Sequence, residues 1–228
     1  MINNETRVEI IKNLLNKGVE IPCPDGVIID ENTVIGKGTL ILPNTIILGN
    51  SKIGENCVIG PNSYISDTTV GSNTKLNNTQ SYQSEIGSGV TAGPFVHIRP
   101  NSKLNDNVHI GNFVEVKNST VDEGSKLPHL LYVGDSDVGK NVNFGCGCVT
   151  VNYDGKNKSR TTVKDGAFIG CNTNLIAPVT IGENAFTAAG STITEDVPDD
   201  SLGIARNIQT NKLDWVNKKK PYKRQHQE

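Results

Sequence analysis

Several side chains in the second half of the chain have the types needed to remove a proton from a bound substrate and to hold an anionic group. His129 is the candidate base, because an imidazole titrates near neutral pH. It interrupts a regular apolar pattern in the segment LPHLLYVGD (127–135). Arginine and lysine side chains suit a phosphate group. Five further polar side chains are expected to converge with His129 on one groove: Arg99, Lys117, Tyr132, Asn143 and Lys158.

The spacing of histidines and cysteines disfavours a metal centre. His97 and His109 lie two six-residue units apart, so a three-sided coil would place them on different faces. Cys146 and Cys148 have no second pair at zinc-finger spacing. The five cysteines are odd in number and widely spread, which is typical of reduced thiols. We therefore expect no catalytic metal.

The elements that position these residues follow from a six-residue apolar repeat. An aliphatic residue recurs from Ile35 to Ile65 without a slip, and the register returns over 98–116 and 163–193. A helix would repeat every 3.6 residues and a half-buried strand every two. A period of six predicts a hexapeptide β-helix, with about 18 residues in each three-sided coil. The expected fold class is mainly β, a parallel β-helix, and its left-handed sense is implied only by similarity to known hexapeptide proteins.

Composition agrees with a slim repeat protein. The chain has 228 residues, a net charge of −2, 5% aromatic residues and 23 glycines for tight turns. No apolar run approaches the roughly 18 residues of a membrane span, and no basic segment leads into an apolar signal region. We expect a cytoplasmic protein that binds neither membranes nor nucleic acid.

Three segments depart from the repeat. Thr6 and Glu9 form a capping-box pattern ahead of a helix predicted over 7–17, with Gly18 as its stop. Residues 77–85 blur the register and are predicted to be a loop or an irregular coil, and 152–162 is predicted to be a functional loop. The predicted organisation is a capping helix (1–18), a β-helix (19–200) and a C-terminal extension (201–228) that ends in a basic tail, Lys218 to Arg224.

Five segments together identify a resemblance to a known family. They resemble the C-terminal acetyltransferase domain of the bifunctional glucosamine-1-phosphate N-acetyltransferase and N-acetylglucosamine-1-phosphate uridyltransferase. The segments are GNFVEVKNS (111–119), HLLYVGD (129–135), NFGCGCVTVNYDGKNK (143–158), IAPVTIGENAFTAAGSTIT (176–194) and ARNIQTNKLDW (205–215). The uridyltransferase domain that precedes this region in the family is not seen in the sequence, so a stand-alone acetyltransferase of the cell-wall precursor route is expected.

The resemblance implies a role for each candidate residue. It makes His129 the general base that deprotonates the sugar amine, with Asn143 and Glu115 as supporting candidates. Arg99, Lys117 and Lys158 match ligands of the sugar phosphate, and Lys158 matches a lysine that reaches a neighbouring subunit's site. Tyr132 and Asn143 match residues that hold the sugar. Asn152 and Tyr153 match residues near the attacking amine and are assigned to the acetyl-CoA side.

Further positions match the acetyl-CoA site of the family. The chain carries Cys146 and Cys171 where the family has an alanine and a serine. The predicted oxyanion donors are the backbone N–H groups of Gly145, Cys146 and Gly147. The acetyl-CoA side also includes Ala189 and Arg206.

The resemblance also implies a homotrimer with three shared active sites, in which the basic tail meets coenzyme phosphates of a neighbour. The first interpretation is acetyl transfer from acetyl-CoA to glucosamine 1-phosphate. A second keeps the chemistry and changes the acceptor to another amino-sugar phosphate or a nucleotide-linked amino sugar. A third, from a different class, is a non-catalytic trimeric scaffold that pairs with a separate uridyltransferase through the N-terminal helix.

Overall fold

A computed structural model describes residues 3–219, and it is a parallel β-helix of about ten coils capped by a short helix. Every coil contributes short strands to three faces. All of the paired strands run parallel. This confirms the predicted solenoid, whereas its left-handed sense stays a prediction.

Two long strands join the first and second faces at a corner. The first face contains β3 (Leu40–Ile41), β6 (Val58–Ile59), β9 (Lys75–Leu76), β12 (Thr91–Ala92), β19 (Asn143–Phe144), β22 (Phe168–Ile169), β25 (Phe186–Thr187) and β27 (Leu202–Gly203). The second contains β1 (Ile28–Ile29), β4 (Ile46–Leu48), β7 (Tyr64–Ser66), β10 (Thr79–Tyr82), β13 (Val96–Ile98), β20 (Val149–Val151), β23 (Asn174–Ile176) and β26 (Thr192–Ile193). The nine-residue strands β15 (His109–Lys117) and β17 (Lys126–Gly134) belong to both.

The third face is a separate sheet of nine strands. It contains β2 (Val34–Ile35), β5 (Lys52–Ile53), β8 (Thr69–Val70), β11 (Glu85–Ile86), β14 (Lys103–Leu104), β16 (Thr120–Val121), β18 (Ser136–Val138), β21 (Thr161–Val163) and β24 (Val179–Ile181). We call the edge between the first and second faces the His129 corner, and the edge between the second and third faces the Asp135 corner.

The sixth-position aliphatics fill the axis of the solenoid, as predicted. Ile41, Ile47, Ile59 and Ile65 have no exposed side-chain surface, and Ile35 and Ile53 are buried. Stacked coils place equivalent residues in register, so that Ile41 pairs with Ile59 and Ile47 with Ile65. The core is therefore a continuous aliphatic column.

We expect the replacement Ile59→Ala to lower the free energy of unfolding by about 2–5 kcal/mol, because it leaves a cavity in this column. Val34→Ala is the control, since Val34 is exposed on the third face and should change stability by less than about 0.5 kcal/mol. Urea unfolding followed by circular dichroism measures both. Equal effects of the two substitutions would contradict the burial of Ile59.

The corners explain the many asparagines and glycines. At the His129 corner, the outermost residue of each coil has a left-handed backbone, with φ of 57° at Asn44, 55° at Asn62, 45° at Asn78 and 77° at Gly147. Asparagine and glycine tolerate this region better than other residues do. Three consecutive coils break the rule by carrying Phe95, Phe113 and Leu130 there.

The N-terminal helix α1 spans Asn4–Asn16 and begins earlier than predicted. Its N-cap is Asn3, whose side chain accepts a hydrogen bond from the Thr6 N–H at 2.8 Å. Thr6 is therefore inside the helix and not its cap, since Asn3 caps a helix equally well. Ile11 and Leu14 are buried in the same cluster as the first coil, so the helix covers that end of the core.

Of the two alternatives predicted for 77–85, a loop or an irregular coil, the structure has an irregular coil. These residues form β10 and β11, in a coil that is two residues shorter than 18, with Ser81 opposite Ile65. The Ser81 hydroxyl lies 3.2 Å from that of Thr68 inside the core. A buried polar group with a hydrogen-bond partner is tolerated in a core. Because Ser81 is polar, the hexapeptide pattern of aliphatic residues is interrupted here in the sequence.

Two other boundaries also differ from the predicted ones. The loop after β20 ends at residue 160, because 161–163 form β21. β27 pairs with β25 beyond the predicted boundary at residue 200, and a short helix α2 (Trp215–Lys219) follows. The part of the basic tail beyond Lys219 lies outside the described residues, and so does His226. In the described part of the chain, no helix is long and apolar enough to cross a membrane.

Candidate functional site

His129 lies at the corner of β17, where its side chain is exposed. Its Nδ1 atom is 2.7 Å from Oδ1 of Asn112, the residue that pairs with it on β15. Because a carbonyl oxygen only accepts, this bond requires a proton on Nδ1 and leaves the lone pair on Nε2. Asn112 was missed by sequence analysis, although it precedes His129 by one coil. The pair presents an exposed imidazole whose ring orientation is fixed by a hydrogen bond.

A column of predicted coenzyme residues continues from His129 along the same corner. The Gly147 N–H donates to the His129 carbonyl at 3.3 Å, and the Asn172 N–H donates to that of Cys146 at 2.8 Å. The Gly190 N–H donates to the Cys171 carbonyl at 2.8 Å. These bonds place the column in the order His129, Cys146, Cys171 and Ala189.

This corner column is the right shape for an extended ligand. Adjacent strands are about 4.8 Å apart, so three steps separate His129 from Ala189 by about 14 Å. Arg206 lies beyond, with its Cδ atom 4.0 Å from the place that a Cβ on Gly190 would occupy. The structure therefore brings Cys146, Cys171, Ala189 and Arg206 onto one line with the base.

The three cysteines near the column have different environments. Cys171 is exposed, Cys146 is half-buried and Cys148 is buried. Burial raises the pKa of the Cys148 thiol to about 11, so it stays protonated at neutral pH. Only Cys146 and Cys171 are placed to meet a ligand in the column.

Backbone hydrogen bonds near Gly145 occupy two of the three predicted oxyanion donors. The Gly145 N–H donates to the Ile169 carbonyl at 2.6 Å, and the Gly147 N–H is used by His129. A Cβ on Gly145 would lie 2.4 Å from the backbone nitrogen of Cys171, so this glycine allows close stacking of coils rather than close approach of a ligand. The Cys146 N–H donates to no backbone carbonyl in residues 3–219. Of the three predicted oxyanion donors, Cys146 is therefore the one that stays a candidate.

Three of the predicted phosphate ligands line one cleft at the Asp135 corner. The cleft has a volume of about 340 Å³, and Arg99, Lys117 and Lys158 are in its wall. Arg99 Nη1 lies 2.8 Å from Glu115 Oε1, a hydrogen bond that raises the pKa of the arginine. Lys117 Nζ lies 3.4 Å from Asp135 Oδ2. The sequence predicts one groove for His129 and five further side chains, and three of those five are in this cleft, whereas His129 and Asn143 are not among the residues that line it.

The Asp135 carboxylate bonds several side chains at and beside the cleft. This buried carboxylate accepts hydrogen bonds from the side-chain amides of Asn118 and Asn152 and pairs with Lys117. Burial alone would raise the pKa of Asp135, but these bonds and the lysine charge outweigh it and lower the pKa. The carboxylate therefore stays charged and keeps the Lys117 ammonium in place.

We expect Asp135→Asn to destabilise the protein by about 1.5–3 kcal/mol at pH 7, since it removes a charged partner from Lys117. A folded-state pKa below the unfolded value gives stability that is present above the unfolded pKa, about 3.9, and is lost as the pH falls through the folded pKa. The difference between the variant and the wild type should therefore shrink below about pH 4. Urea titrations at several pH values measure it. A difference independent of pH would contradict the assigned charge of Asp135.

The loop at 152–160 is held firmly against the solenoid. Arg160 Nε donates to Asp137 Oδ2 at 2.9 Å, and its Nη1 donates to the Asn118 carbonyl at 3.1 Å. Asp154 accepts bonds from two backbone N–H groups of the loop, and Tyr153 pairs with Lys158. These contacts place Lys158 at the cleft of its own chain, whereas the resemblance implies that it reaches a neighbour's site.

The other predicted sugar and coenzyme residues lie in different places. Tyr132 pairs with Glu115 across β15 and β17, and its hydroxyl is 3.5 Å from Asn152 Nδ2. Asn152 therefore belongs with the cleft, and the geometry does not support its assignment to the acetyl-CoA side. Tyr153 is exposed and donates to the Gly155 carbonyl at 2.7 Å within the loop. Asn143 lies on the first face, in register with Lys126 and Phe168.

The base and the cleft are well separated within one chain. Lys117 pairs with Gly134, five residues beyond His129 on β17. Five residues of strand span about 16 Å. Within one chain, His129 therefore lies five strand residues from the position beside Lys117.

Outside these two corners, the described residues offer no stronger chemical centre. A larger cleft of about 450 Å³ lies on the third face and is lined by Asp122, Asp137, Asp165 and Glu183, but its lining contains no histidine. Between residues 3 and 219, no three His, Cys, Asp or Glu side chains are grouped as they would be around a metal ion. The chemistry is therefore concentrated at the His129 and Asp135 corners.

Comparison with known proteins agrees with the hexapeptide repeat and adds a similarity to individual relatives. The family profile described as bacterial transferase hexapeptide (six repeats) matches residues 32–67, 83–118 and 160–195. The bifunctional protein GlmU of Geobacillus sp. (strain WCH70) is 60% identical over 149 residues, which are 65% of this chain and 32% of that protein. GlmU of Halalkalibacterium halodurans is 60% identical over 150 residues, covering 66% of this chain and 33% of the relative.

A solved structure of UDP-N-acetylglucosamine acyltransferase from Francisella novicida has a TM-score of 0.49 and 18% identity, covering 78% of this chain and 65% of that one. The chain spans about a third of the length of the GlmU relatives that it matches. The repeats, the coils and the 60% identity lead to one conclusion. The chain carries the repeats of the bacterial hexapeptide transferases and contains a GlmU-like acetyltransferase domain.

Proposed function

We propose that the chain transfers the acetyl group of acetyl-CoA to the amine of glucosamine 1-phosphate. The observation that carries this proposal is the His129–Asn112 pair at the head of the corner column. An imidazole with its lone pair on Nε2 is the group that an amine nucleophile requires, because the amine must lose a proton as it attacks. Similarity to GlmU over 149 residues supports the same reaction.

The reaction needs one base and no covalent acyl-enzyme. The amine nitrogen attacks the thioester carbonyl carbon, and its proton passes to His129 Nε2. When the tetrahedral intermediate collapses, the C–S bond breaks and the proton returns from His129 to the leaving thiolate of coenzyme A. The Asn112 Oδ1 atom accepts a hydrogen bond from the Nδ1–H group throughout and fixes the ring. The Cys146 N–H is the donor proposed for the oxyanion.

The cleft at the Asp135 corner supplies the positive charge that binds the phosphate of the acceptor. Arg99, Lys117 and Lys158 present two ammonium groups and a guanidinium to one space of about 340 Å³. A phosphate dianion is the matching ligand, because charge-assisted hydrogen bonds from such groups are about twice as strong as neutral ones. Glu115 and Asp135 orient two of these cations before the ligand arrives.

We place the reacting groups between two copies of the chain in a homotrimer. About 16 Å of strand separates His129 from the partner of Lys117, so a second chain supplies the base more readily than the same chain does. Phe95, Phe113 and Leu130 form an exposed apolar ridge beside His129, with 58%, 54% and 57% of their surfaces open. Such a ridge is typical of a surface that another chain covers.

We place the protein in the cytoplasm, where thiols stay reduced. Its cysteines are unpaired: Cys23, Cys57, Cys146, Cys148 and Cys171. Acetyl-CoA is the cosubstrate, and the column carries an exposed thiol at Cys171 that a bound pantetheine arm would cover.

Alkylation tests the assignment of the column to acetyl-CoA. We expect iodoacetamide at pH 8 to modify Cys171 first and to leave Cys148 unmodified, since the pKa of Cys148 is raised to about 11. Saturating acetyl-CoA should slow the modification of Cys171 at least tenfold and leave the rate at Cys23 unchanged. Peptide mass spectrometry measures each rate. Equal rates at Cys171 with and without acetyl-CoA would contradict this placement.

A further inference from the structure

An aromatic cluster lies next to the phosphate cleft and has no part in the reaction described above. Tyr64 and Tyr82 have ring centroids 5.4 Å apart, and Tyr82 meets His97 edge-on at 5.7 Å. All three rings are half-buried on the outer surface of the second face. Tyr82 donates its hydroxyl hydrogen to Gln80 Oε1 at 3.1 Å, which leaves the exposed Gln80 amide able to donate.

The register ties this cluster to the phosphate ligands. Ser81 pairs with Ile98, so the next residue, Tyr82, lies opposite Arg99 one coil away. His97 pairs with Glu115, the carboxylate that orients Arg99. One strand spacing is about 4.8 Å. The aromatic rings therefore begin where the phosphate site ends, on the side away from Tyr132.

The order of groups along the second face matches one class of molecule. Tyr132 and Asn152 lie on one side of the cations, and Tyr82 and Tyr64 lie on the other. A nucleotide-linked amino sugar has the same order, with the sugar, then phosphates, then a planar base. Base stacking on an aromatic ring contributes about 1–3 kcal/mol and does not depend on which base is bound.

We propose that Tyr64, Tyr82 and Gln80 form a nucleobase subsite, so that the acceptor groove also takes a nucleotide-linked amino sugar. This inference rests on the proposed acetyl transfer for the reacting end of the ligand. The base stacks on Tyr82 and Tyr64, the Gln80 amide donates to a base carbonyl, and Arg99 and Lys117 hold the phosphates. The acceptor would then be acetylated after it has been joined to the nucleotide.

Calorimetric titration with three probes tests the subsite on the full chain. Uridine diphosphate should bind the wild type more tightly than inorganic pyrophosphate does. Tyr82→Ala should weaken uridine diphosphate by about 5- to 150-fold, the equivalent of one stacked base, with a much smaller effect on pyrophosphate. Tyr82→Phe keeps the ring and should stay within about threefold of the wild type. Tyr64→Ala should act in the same direction as Tyr82→Ala.

Phe168→Ala is the matched control, because Phe168 also stacks on a neighbouring ring, Phe186, but lies on the first face. It should leave the affinity for uridine diphosphate unchanged. The inference is overturned if uridine diphosphate binds no more tightly than pyrophosphate, or if Tyr82→Ala weakens both probes equally. Circular dichroism confirms that each variant is folded.

Acetylation assays separate this inference from the proposed reaction. We expect the ratio of kcat/KM for UDP-glucosamine to that for glucosamine 1-phosphate to fall at least fivefold in Tyr82→Ala. If uridine diphosphate binds through Tyr82 and no amino sugar is acetylated, the subsite stands and the reaction fails. If glucosamine 1-phosphate is acetylated and uridine diphosphate does not bind, the reaction stands and the subsite fails.

Discussion

Replacing His129 by alanine should lower kcat by about 10²- to 10⁴-fold with little change in the KM for acetyl-CoA, because general-base catalysis typically contributes that factor. Asn112→Ala should cost less, since the imidazole remains and loses only the partner that fixes its tautomer and orientation. Release of coenzyme A, followed with a thiol reagent under saturating substrates, measures both variants. Asn112→Asp keeps an oxygen acceptor and should restore most of the rate.

His109→Ala is a matched control for this prediction. His109 is also exposed on β15, and its Nδ1 atom lies 2.7 Å from Thr91 Oγ1, but it stands on the first face away from the corner column. It should keep wild-type kcat. A His129→Ala protein as active as His109→Ala would remove the base from the mechanism.

Phe113→Asn should convert the proposed homotrimer to a monomer without destabilising the isolated chain. Phe113 has a φ of 58°, in the left-handed region that costs a phenylalanine about 1–2 kcal/mol and that asparagine tolerates. The coils at either end of this ridge already use asparagine or glycine at the same place. The substitution therefore removes the stacked contact with Phe95, at 5.2 Å, and relieves backbone strain at the same time.

Analytical ultracentrifugation and urea unfolding together measure this effect. We expect loss of the oligomer, a drop in acetyl transfer of at least tenfold, and a monomer no less stable than the equally dilute wild type. Phe168→Asn, at an exposed stacked ring on the first face, should leave the assembly intact. A Phe113→Asn protein that remains assembled and active would show that the ridge is not the interface.

The solenoid could be predicted in detail because its physics is local and repeated. Every sixth aliphatic from Ile35 to Ile65 is buried, since each unit of the sequence builds the same turn and strand. Departures from the local pattern occur where a tertiary contact replaces the local rule. Ser81 takes an aliphatic position because Thr68 bonds it, and the helix starts at Asn4 because Asn3 is as good a cap as Thr6.

The site was harder to predict than the coils. Arg99, Lys117 and Lys158 line one cleft, but His129 and Asn143, which were expected to converge with them, are not in its wall. Asn112 was missed because its role depends on the corner register with His129, which no residue pattern reveals. The backbone partners of Gly145 and Gly147 are likewise set by neighbouring coils, so the oxyanion prediction had to be narrowed to Cys146.

The most direct test of the account is the release of coenzyme A from acetyl-CoA by the purified chain, with glucosamine 1-phosphate, glucosamine and glucosamine 6-phosphate as rival acceptors. We expect rapid release with glucosamine 1-phosphate, at least a hundredfold slower release with glucosamine, and loss of the activity in His129→Ala. The absence of release with every amino sugar, from a folded and assembled protein, would contradict acetyl transfer and favour a non-catalytic scaffold.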